Sequence, residues 1–285
     1  MNKSKLTSLC HTISERTGLS FNAVMTYYFM ESILRRLAHS EIGRHLVFKG
    51  GFLLSNVVGL KARSTVDIVL HLHQMTLARE QVLPALSRAL EGTDEDGTWY
   101  AIQSVQAIKE EDRYSGLRVS VVCHMQNIRL VIPLDIAAGD VLTPHAIAYQ
   151  YASVFGPDTI TIRAYPLETM LAEKLHTIFA RGFLNSKSKD YYDLHILYQL
   201  KRQDISPQTL LAACRRTFQN RQSIFSLSDI RDMLSTLAQD TAFLQRWQTY
   251  QKKNTYVGHV SFQDTIHSTL ALLDMMDGRH SDDAE

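Results

Sequence analysis

Two aspartates stand inside apolar stretches of this 285-residue chain that read as β-strands. Over residues 66–73 the apolar residues alternate, which predicts a strand that carries Asp67, Val69, His71 and His73 on one face. Asp135 is embedded in the apolar run 131–136. A carboxylate in such a strand is unfavourable unless it is paired or bound to a cation, and Mg²⁺ prefers carboxylate ligands. Both acids are therefore candidate metal ligands, although Asp67 at a solvated strand end would need no metal.

A pair of glycines follows the short apolar run 46–48. Gly50 and Gly51 precede a predicted helix that starts at Phe52. Backbone amides at such a turn can approach a phosphate closely, and the start of a helix favours negative charge. A tight turn that binds nothing is the competing interpretation. Asp140, between Gly139 and Pro144, is interpreted as a turn residue.

A third polar group lies in the C-terminal half. Lys174 interrupts apolar positions of a predicted helix, and Asp190 and Asp193 share a face of the next helix because they are three residues apart. Lys174 could instead extend its charged end to solvent, and the two acids could stabilise the N-terminus of their helix.

Periodicity predicts an α/β part followed by a helical part, with domains at residues 1–166 and 167–285. Ser20 is a candidate N-cap, and Asn127 marks a turn between antiparallel strands. The first part has predicted helices at 5–17, 20–40 and 76–90, a helix starting at 52, and strands at 46–48, 66–73, 100–109, 117–125, 128–137 and 159–165. The second has predicted helices at 167–180, 189–200, 207–218, 227–237, 240–252 and 261–276, and a polar tail at 277–285.

Composition indicates a soluble protein of a reducing compartment. Hydrophobic residues make up 45% of the chain, and the formal net charge of +1 gives no argument for nucleic-acid binding. Cys10, Cys123 and Cys214 are isolated, so they predict neither a zinc site nor a disulfide framework. No apolar run reaches membrane-span length, and we expect a cytoplasmic location with no membrane partner.

Several segments together resemble one family. Residues 47–54 read Val-Phe-Lys-Gly-Gly-Phe-Leu-Leu, and residues 63–67 read Arg-Ser-Thr-Val-Asp. Further matches are residues 134–144, 165–169, 172–175 and 181–194. Their order and spacing over about residues 20–200 resemble the AbiEii/AbiGii-type nucleotidyltransferase toxins of type IV toxin–antitoxin systems, which act in abortive infection.

The resemblance implies an α+β protein with the polymerase-beta-like nucleotidyltransferase fold, a small mixed sheet and a helical C-terminal part. It also implies a Mg²⁺-dependent enzyme that transfers a nucleotide from an NTP to an RNA, such as a tRNA, or to a protein. Such an enzyme is a toxin in antiviral defence. The implied partner is a cognate antitoxin with a winged-helix DNA-binding part, which need not bind the toxin stably.

The resemblance also assigns roles to residues. Asp67 would bind metal, and Asp135 would bind metal or act as the general base. Lys174 would neutralise phosphate charge, and Asp190 and Asp193 would complete the catalytic site. The residues implied in NTP binding are Gly50, Gly51, Arg63, Ser64 and Lys189, and Arg181 is a further candidate for contacting the NTP or the acceptor.

The chain departs from the family at the predicted metal site. The family pattern on this strand is Asp-x-Asp, but here it reads Asp67-Ile68-Val69, and valine cannot bind a metal ion. Phe52 follows the diglycine where many relatives have Ser or Thr. Three interpretations stay open: an enzyme with a weakened or single-metal site, an inactive relative that binds nucleotide or RNA, and a substitution that tames a toxic protein.

Overall fold

The structure is a computed structural model that describes residues 2–109, 115–185 and 187–278. The chain divides into two compact units. Unit 1 comprises Met1–Asp140 and Ala146–Tyr165, and unit 2 comprises Val141–His145 and Pro166–Glu285. The chain thus enters unit 2 briefly before it returns to complete unit 1. Residues 279–285 of the predicted polar tail lie outside the described residues.

Unit 1 contains one mixed sheet whose seven strands have the order β3-β4-β5-β2-β1-β7-β6. Strand β1 runs parallel to β7 and β2 runs parallel to β5, while the remaining neighbours are antiparallel. The strands are β1 (Leu46–Lys49), β2 (Ile68–Leu72), β3 (Trp99–Lys109), β4 (Ser115–Met125), β5 (Ile128–Ala137), β6 (Ile147–Ala152) and β7 (Thr159–Ala164).

Four α-helices accompany this sheet in the described part of unit 1: α1 (Lys3–Thr17), α2 (Phe21–Ala38), α3 (Gly50–Val58) and α4 (Arg79–Ala89). The Ser20 side chain accepts a hydrogen bond from the Ala23 amide and caps α2 as predicted. Helix α3 starts at Gly50, not at Phe52. Strand β2 starts at Ile68, so that Asp67 immediately precedes it.

The two faces of the central strands differ in burial. Ile68 and Leu70 of β2, and Leu134 and Ile136 of β5, are 0% exposed. Asp67, Val69 and Asp135, which alternate with them, stay partly exposed. The period-two pattern therefore separates a core face from a face that solvent and ligands can reach.

A buried carboxylate of α2 accepts hydrogen bonds from residues at the end of β6. Glu31 is 3% exposed and accepts hydrogen bonds from the Tyr151 hydroxyl at 3.2 Å, the Ser153 hydroxyl at 2.6 Å and the Val154 amide at 2.8 Å. Burial raises the pKa of Glu31, and these three hydrogen bonds oppose the shift. The sequence does not predict a strand at the position of β6. Tyr151 alone is buried in this strand.

The described part of unit 2 is helical. Its helices are α5 (Leu167–Arg181), α6 (Ser188–Lys201), α7 (Pro207–Asn220), α8 (Leu227–Leu237), α9 (Thr241–Lys253) and α10 (Phe262–Asp277). Their apolar faces form a core around Leu171, Leu194, Leu210 and Leu273, each at most 2% exposed. Along the described chain, no helix is both long and apolar enough to cross a membrane.

Candidate active site

Four strands of unit 1 bring four side chains into one row on the partly exposed face of the sheet. Arg118 of β4 lies opposite Asp135 of β5, and Asp135 lies beside Val69 of β2. Val69 in turn lies opposite Lys49, the last residue of β1. Side chains of residues paired in this way point to the same face. Across the sheet, the row therefore consists of a cation, an anion, an apolar residue and a second cation.

Arg118 forms a bidentate ion pair with Asp135. Its Nε donates to Asp135 Oδ1 at 2.7 Å, and its Nη2 donates to Oδ2 at 2.6 Å. The hydrogen bonds and the charge of Asp135 raise the pKa of Arg118, and the negative charge of Asp67 adds to this shift. Arg118 thus lies within electrostatic reach of both predicted metal ligands.

Arg118 is absent from the residues that the sequence singled out, although a signal for it exists. Residues 126 and 127 form the two-residue turn between β4 and β5, with Met125 paired to Ile128. Such a turn fixes the register of the hairpin, and counting back from it places Arg118 opposite Asp135.

Asp67 lies on the face of this row, two residues before Val69. Its Oδ1 accepts a hydrogen bond from the Thr65 hydroxyl at 2.5 Å. The Thr65 amide donates to the Tyr27 hydroxyl of α2 at 2.8 Å, which holds the segment before β2 in place. Asp67 is therefore positioned by local hydrogen bonds and keeps one oxygen, Oδ2, that this bond does not use.

The diglycine brings the start of α3 against the strand that follows Asp67. Gly50 has a φ of +72°, and a Cβ there would lie 3.0 Å from the Cβ of Val69. A Cβ on Gly51 would lie 2.9 Å from the Thr65 hydroxyl. Helix α3 also has no side-chain N-cap. The glycines allow this close approach, and the helix N-terminus next to Asp67 is an arrangement that can bind phosphate.

A second polar group borders the row at Lys49. Lys49 Nζ lies 2.6 Å from Asp140 Oδ2, and the Tyr165 hydroxyl donates to the same oxygen at 2.8 Å. Burial lowers the pKa of His71 to about 4, although the charge of Asp140 opposes this, so His71 is neutral at pH 7. Asp140 thus balances the charge of Lys49.

The predicted NTP-binding residues Arg63 and Ser64 lie in the segment before Asp67. Arg63 is 5% exposed, and its Nη1 donates to the Ser64 carbonyl oxygen. The guanidinium therefore contacts this segment from within unit 1. Their predicted role in NTP binding stays a prediction.

The predicted residues of the helical part form their own cluster in unit 2. Lys174 Nζ of α5 lies 2.5 Å from Asp193 Oδ2 and 3.4 Å from Asp190 Oδ1, both of α6. The Lys174 side chain is 15% exposed, that of Asp193 is 1% exposed and that of Asp190 is 9% exposed. Lys189 is exposed in the first turn of α6, and Arg181 is partly exposed at the end of α5. The structure thus unites Lys174 with the two acids as an ion-paired group.

The described residues do not fit a two-ion centre. No group of three His, Cys, Asp or Glu residues that could hold a metal ion occurs within residues 2–109, 115–185 and 187–278. Both oxygens of Asp135 bind Arg118, and Val69 stands where a second carboxylate would be needed. On this face, Asp67 is the carboxylate best placed to accept an ion.

The mixed α/β fold is similar to that of two solved structures. A candidate nucleotidyltransferase from H. pylori has a similar structure, with a TM-score of 0.57 and 14% sequence identity over 94% of this chain and 100% of that one. JHP933 from Helicobacter pylori is also similar, with a TM-score of 0.54 and 15% identity over 92% of this chain and 94% of that one. At such low identity, the likeness concerns the fold alone.

Residues 32–267 match the family described as nucleotidyl transferase AbiEii toxin, type IV TA system. The chain therefore belongs to the AbiEii family of nucleotidyltransferase toxins, which confirms the resemblance seen in the sequence. No curated protein matches the chain.

Proposed function

We propose that this chain transfers a nucleotide from an NTP to an acceptor molecule, as the toxin of a type IV toxin–antitoxin pair in antiviral defence. The observation that carries the proposal is the position of Asp67. It lies beside the glycine-rich start of α3 and on the same face as Asp135 of the neighbouring strand. A phosphate-binding helix start next to a carboxylate suits an NTP with a bound cation.

The residues of unit 1 have distinct roles in this proposal. The amides at the start of α3, reached through Gly50 and Gly51, bind the triphosphate. Asp67 binds a divalent ion that arrives with the NTP, and Mg²⁺ is the expected ion because it keeps several waters and needs few protein carboxylates. When bound, the ion neutralises phosphate charge. Arg63 and Ser64 position the segment that carries Asp67.

The acceptor is proposed to be an RNA, such as a tRNA, or a protein. In unit 2, Lys174 with Asp190 and Asp193, together with exposed Lys189, supplies the further polar residues that the family resemblance assigns to the reaction. The proposed partner is a cognate antitoxin with a winged-helix DNA-binding part.

A second candidate function is nucleotide or RNA binding without transfer. Two observations favour it: Val69 replaces a carboxylate, and the ion pair with Arg118 occupies both oxygens of Asp135. A binding protein would keep the helix start and Asp67 but would not complete the reaction.

Label transfer separates the two functions. The parent chain and its Val69→Asp variant are incubated with each α-labelled NTP, Mg²⁺ and total cellular RNA and protein, and Asp67→Asn serves as the inactive control. We expect label on RNA or protein with the parent, more label with Val69→Asp, and none with Asp67→Asn. Label with Val69→Asp alone would make the parent a binding protein. Label with neither would contradict transfer by this site.

A further inference from the structure

We propose that Arg118 takes the place of one of the two divalent cations of a two-ion nucleotidyltransferase site, so that this chain binds an NTP together with a single divalent ion. This inference rests on the proposed function, because it concerns the same NTP site. It names Arg118 of β4, which lies within the matched residues 32–267 but outside the short motifs quoted from the sequence.

The position of the guanidinium supports this role. Arg118 bridges both oxygens of Asp135, the acid that would otherwise be free to bind an ion. The strand order places Arg118 on the side of Asp135 away from β2, and the negative charge of Asp67 still contributes to the raised pKa of Arg118. By pairing with both oxygens, Arg118 neutralises Asp135, as an ion bound to that acid would do.

The guanidinium has donors left for a ligand. Arg has five N–H donors, and the contacts to Asp135 use Nε and Nη2. The Arg118 side chain is 48% exposed, while that of Asp135 is 17% exposed. About half of the Arg118 side chain is thus open to solvent, where its remaining donors can bind phosphate oxygens, for which the planar guanidinium is well suited.

Charge counting agrees with the loss of one ion. A site with Asp-x-Asp and a third acid on the neighbouring strand carries three negative charges. Here residue 69 is an uncharged valine and Arg118 pairs with Asp135, so Asp67, Asp135 and Arg118 together carry one negative charge. The difference of two charges from a site of three acids equals the charge of one divalent ion.

Val69 offers no oxygen ligand to a second ion beside the start of α3. Its Cβ and Cγ2 both lie 3.0 Å from where a Cβ of Gly50 would stand, so its side chain fills the space beside the start of α3. A hard cation needs oxygen ligands at about 2.0–2.6 Å, and methyl groups offer none. The apolar residue and the guanidinium thus act together.

Equilibrium dialysis counts the ions directly. The parent chain is dialysed against Mn²⁺ and the labelled α,β-methylene analogue of each of the four NTPs, and the excess of Mn²⁺ over the excess of nucleotide on the protein side is measured. We expect one Mn²⁺ per bound nucleotide. The double variant Val69→Asp/Arg118→Gln, which restores three negative charges, is expected to bind two.

A ratio of two in the parent would overturn the inference and leave the proposed function standing. A ratio of zero would also overturn it. Absence of bound nucleotide, with or without Mn²⁺, would refute the proposed function together with the inference. Because the parent alone gives the ratio, the outcome does not depend on the folding of any variant.

A matched arginine separates a phosphate contact from a stabilising strand pair. Arg118→Gln is expected to weaken binding of the nucleotide analogue about 10-fold or more, since it removes charge-assisted hydrogen bonds. Arg129→Gln is the control, because Arg129 lies on β5 of the same sheet and donates to Gln103 at 3.4 Å. Equal weakening by both variants would mean that Arg118 only stabilises the sheet. Arg118→Lys should keep the ratio of one ion per nucleotide.

Discussion

Gly50 allows a sharp test of the contact between the start of α3 and β2. Its φ is +72°, and a Cβ there would lie 3.0 Å from Val69. A side chain in the left-handed conformation costs about 1–2 kcal/mol. An extra methyl group in a filled contact costs about 1–3 kcal/mol. Gly50→Ala should therefore lower the free energy of unfolding of unit 1 by about 2–5 kcal/mol.

Two further variants separate the backbone cost of Gly50→Ala from the cost of the contact with Val69. Gly18 has a φ of +76°, and a Cβ there would meet nothing within 4 Å, so Gly18→Ala should lose only the backbone part, about 1–2 kcal/mol. In the Gly50→Ala background, Val69→Gly removes both Val69 atoms that lie 3.0 Å from the added Cβ. It should recover a coupling energy of about 1–3 kcal/mol relative to the sum of the single variants.

Tryptophan fluorescence can follow the unfolding of unit 1. The chain has two tryptophans, Trp99 in β3 of unit 1 and Trp247 in α9 of unit 2. In a Trp247→Phe background, urea unfolding monitored through Trp99 reports on unit 1. If Gly50→Ala loses no more stability than Gly18→Ala, or Val69→Gly recovers nothing, the close contact does not exist and the phosphate-binding geometry derived from it is wrong.

Three further predictions concern charges. Asp67→Asn should weaken metal-dependent NTP binding about 10-fold or more, measured by calorimetry in Mg²⁺ and in EDTA; an unchanged affinity in Mg²⁺ would exclude Asp67 as a ligand. Because burial raises the pKa of Glu31, its contribution to stability is complete below the unfolded value of 4.5 and is lost as pH rises through the folded pKa. Glu31→Gln should abolish that loss in pH-dependent urea unfolding, and an identical pH slope in both proteins would refute the assignment. Lys174→Met removes the cation that pairs with buried Asp193 and should destabilise unit 2 by about 3–5 kcal/mol. Adding Asp193→Asn should recover part of the lost stability in urea unfolding. Equal destabilisation by the double variant would contradict the pairing.

The sequence predicted those elements whose side chains have a regular pattern. The alternation in residues 66–73 predicted β2, and Ser20 marked the start of α2. Strand β6 has no such pattern. Only Tyr151 of this strand is buried, so no alternation is visible, and the strand forms because it pairs with β7.

The family and most of the candidate residues were also accessible from the sequence. Lys174, Asp190 and Asp193 lie on neighbouring helices and meet as ion pairs. The absence of the second carboxylate at Val69 was visible as well, because alternation places residue 69 on the face of Asp67. These inferences need only local spacing and a pattern of residue types.

Tertiary structure decided what Val69 means for the site. Arg118 and Asp135 are 17 residues apart, and only the hairpin register puts them opposite each other. The approach of Gly50 to Val69 likewise depends on how α3 lies against β2. Sequence alone therefore indicated which residues are candidates to bind an NTP and a metal. The pairing of strands determined that one of the two acids already has a cation, because register is set by contacts between residues distant in the chain.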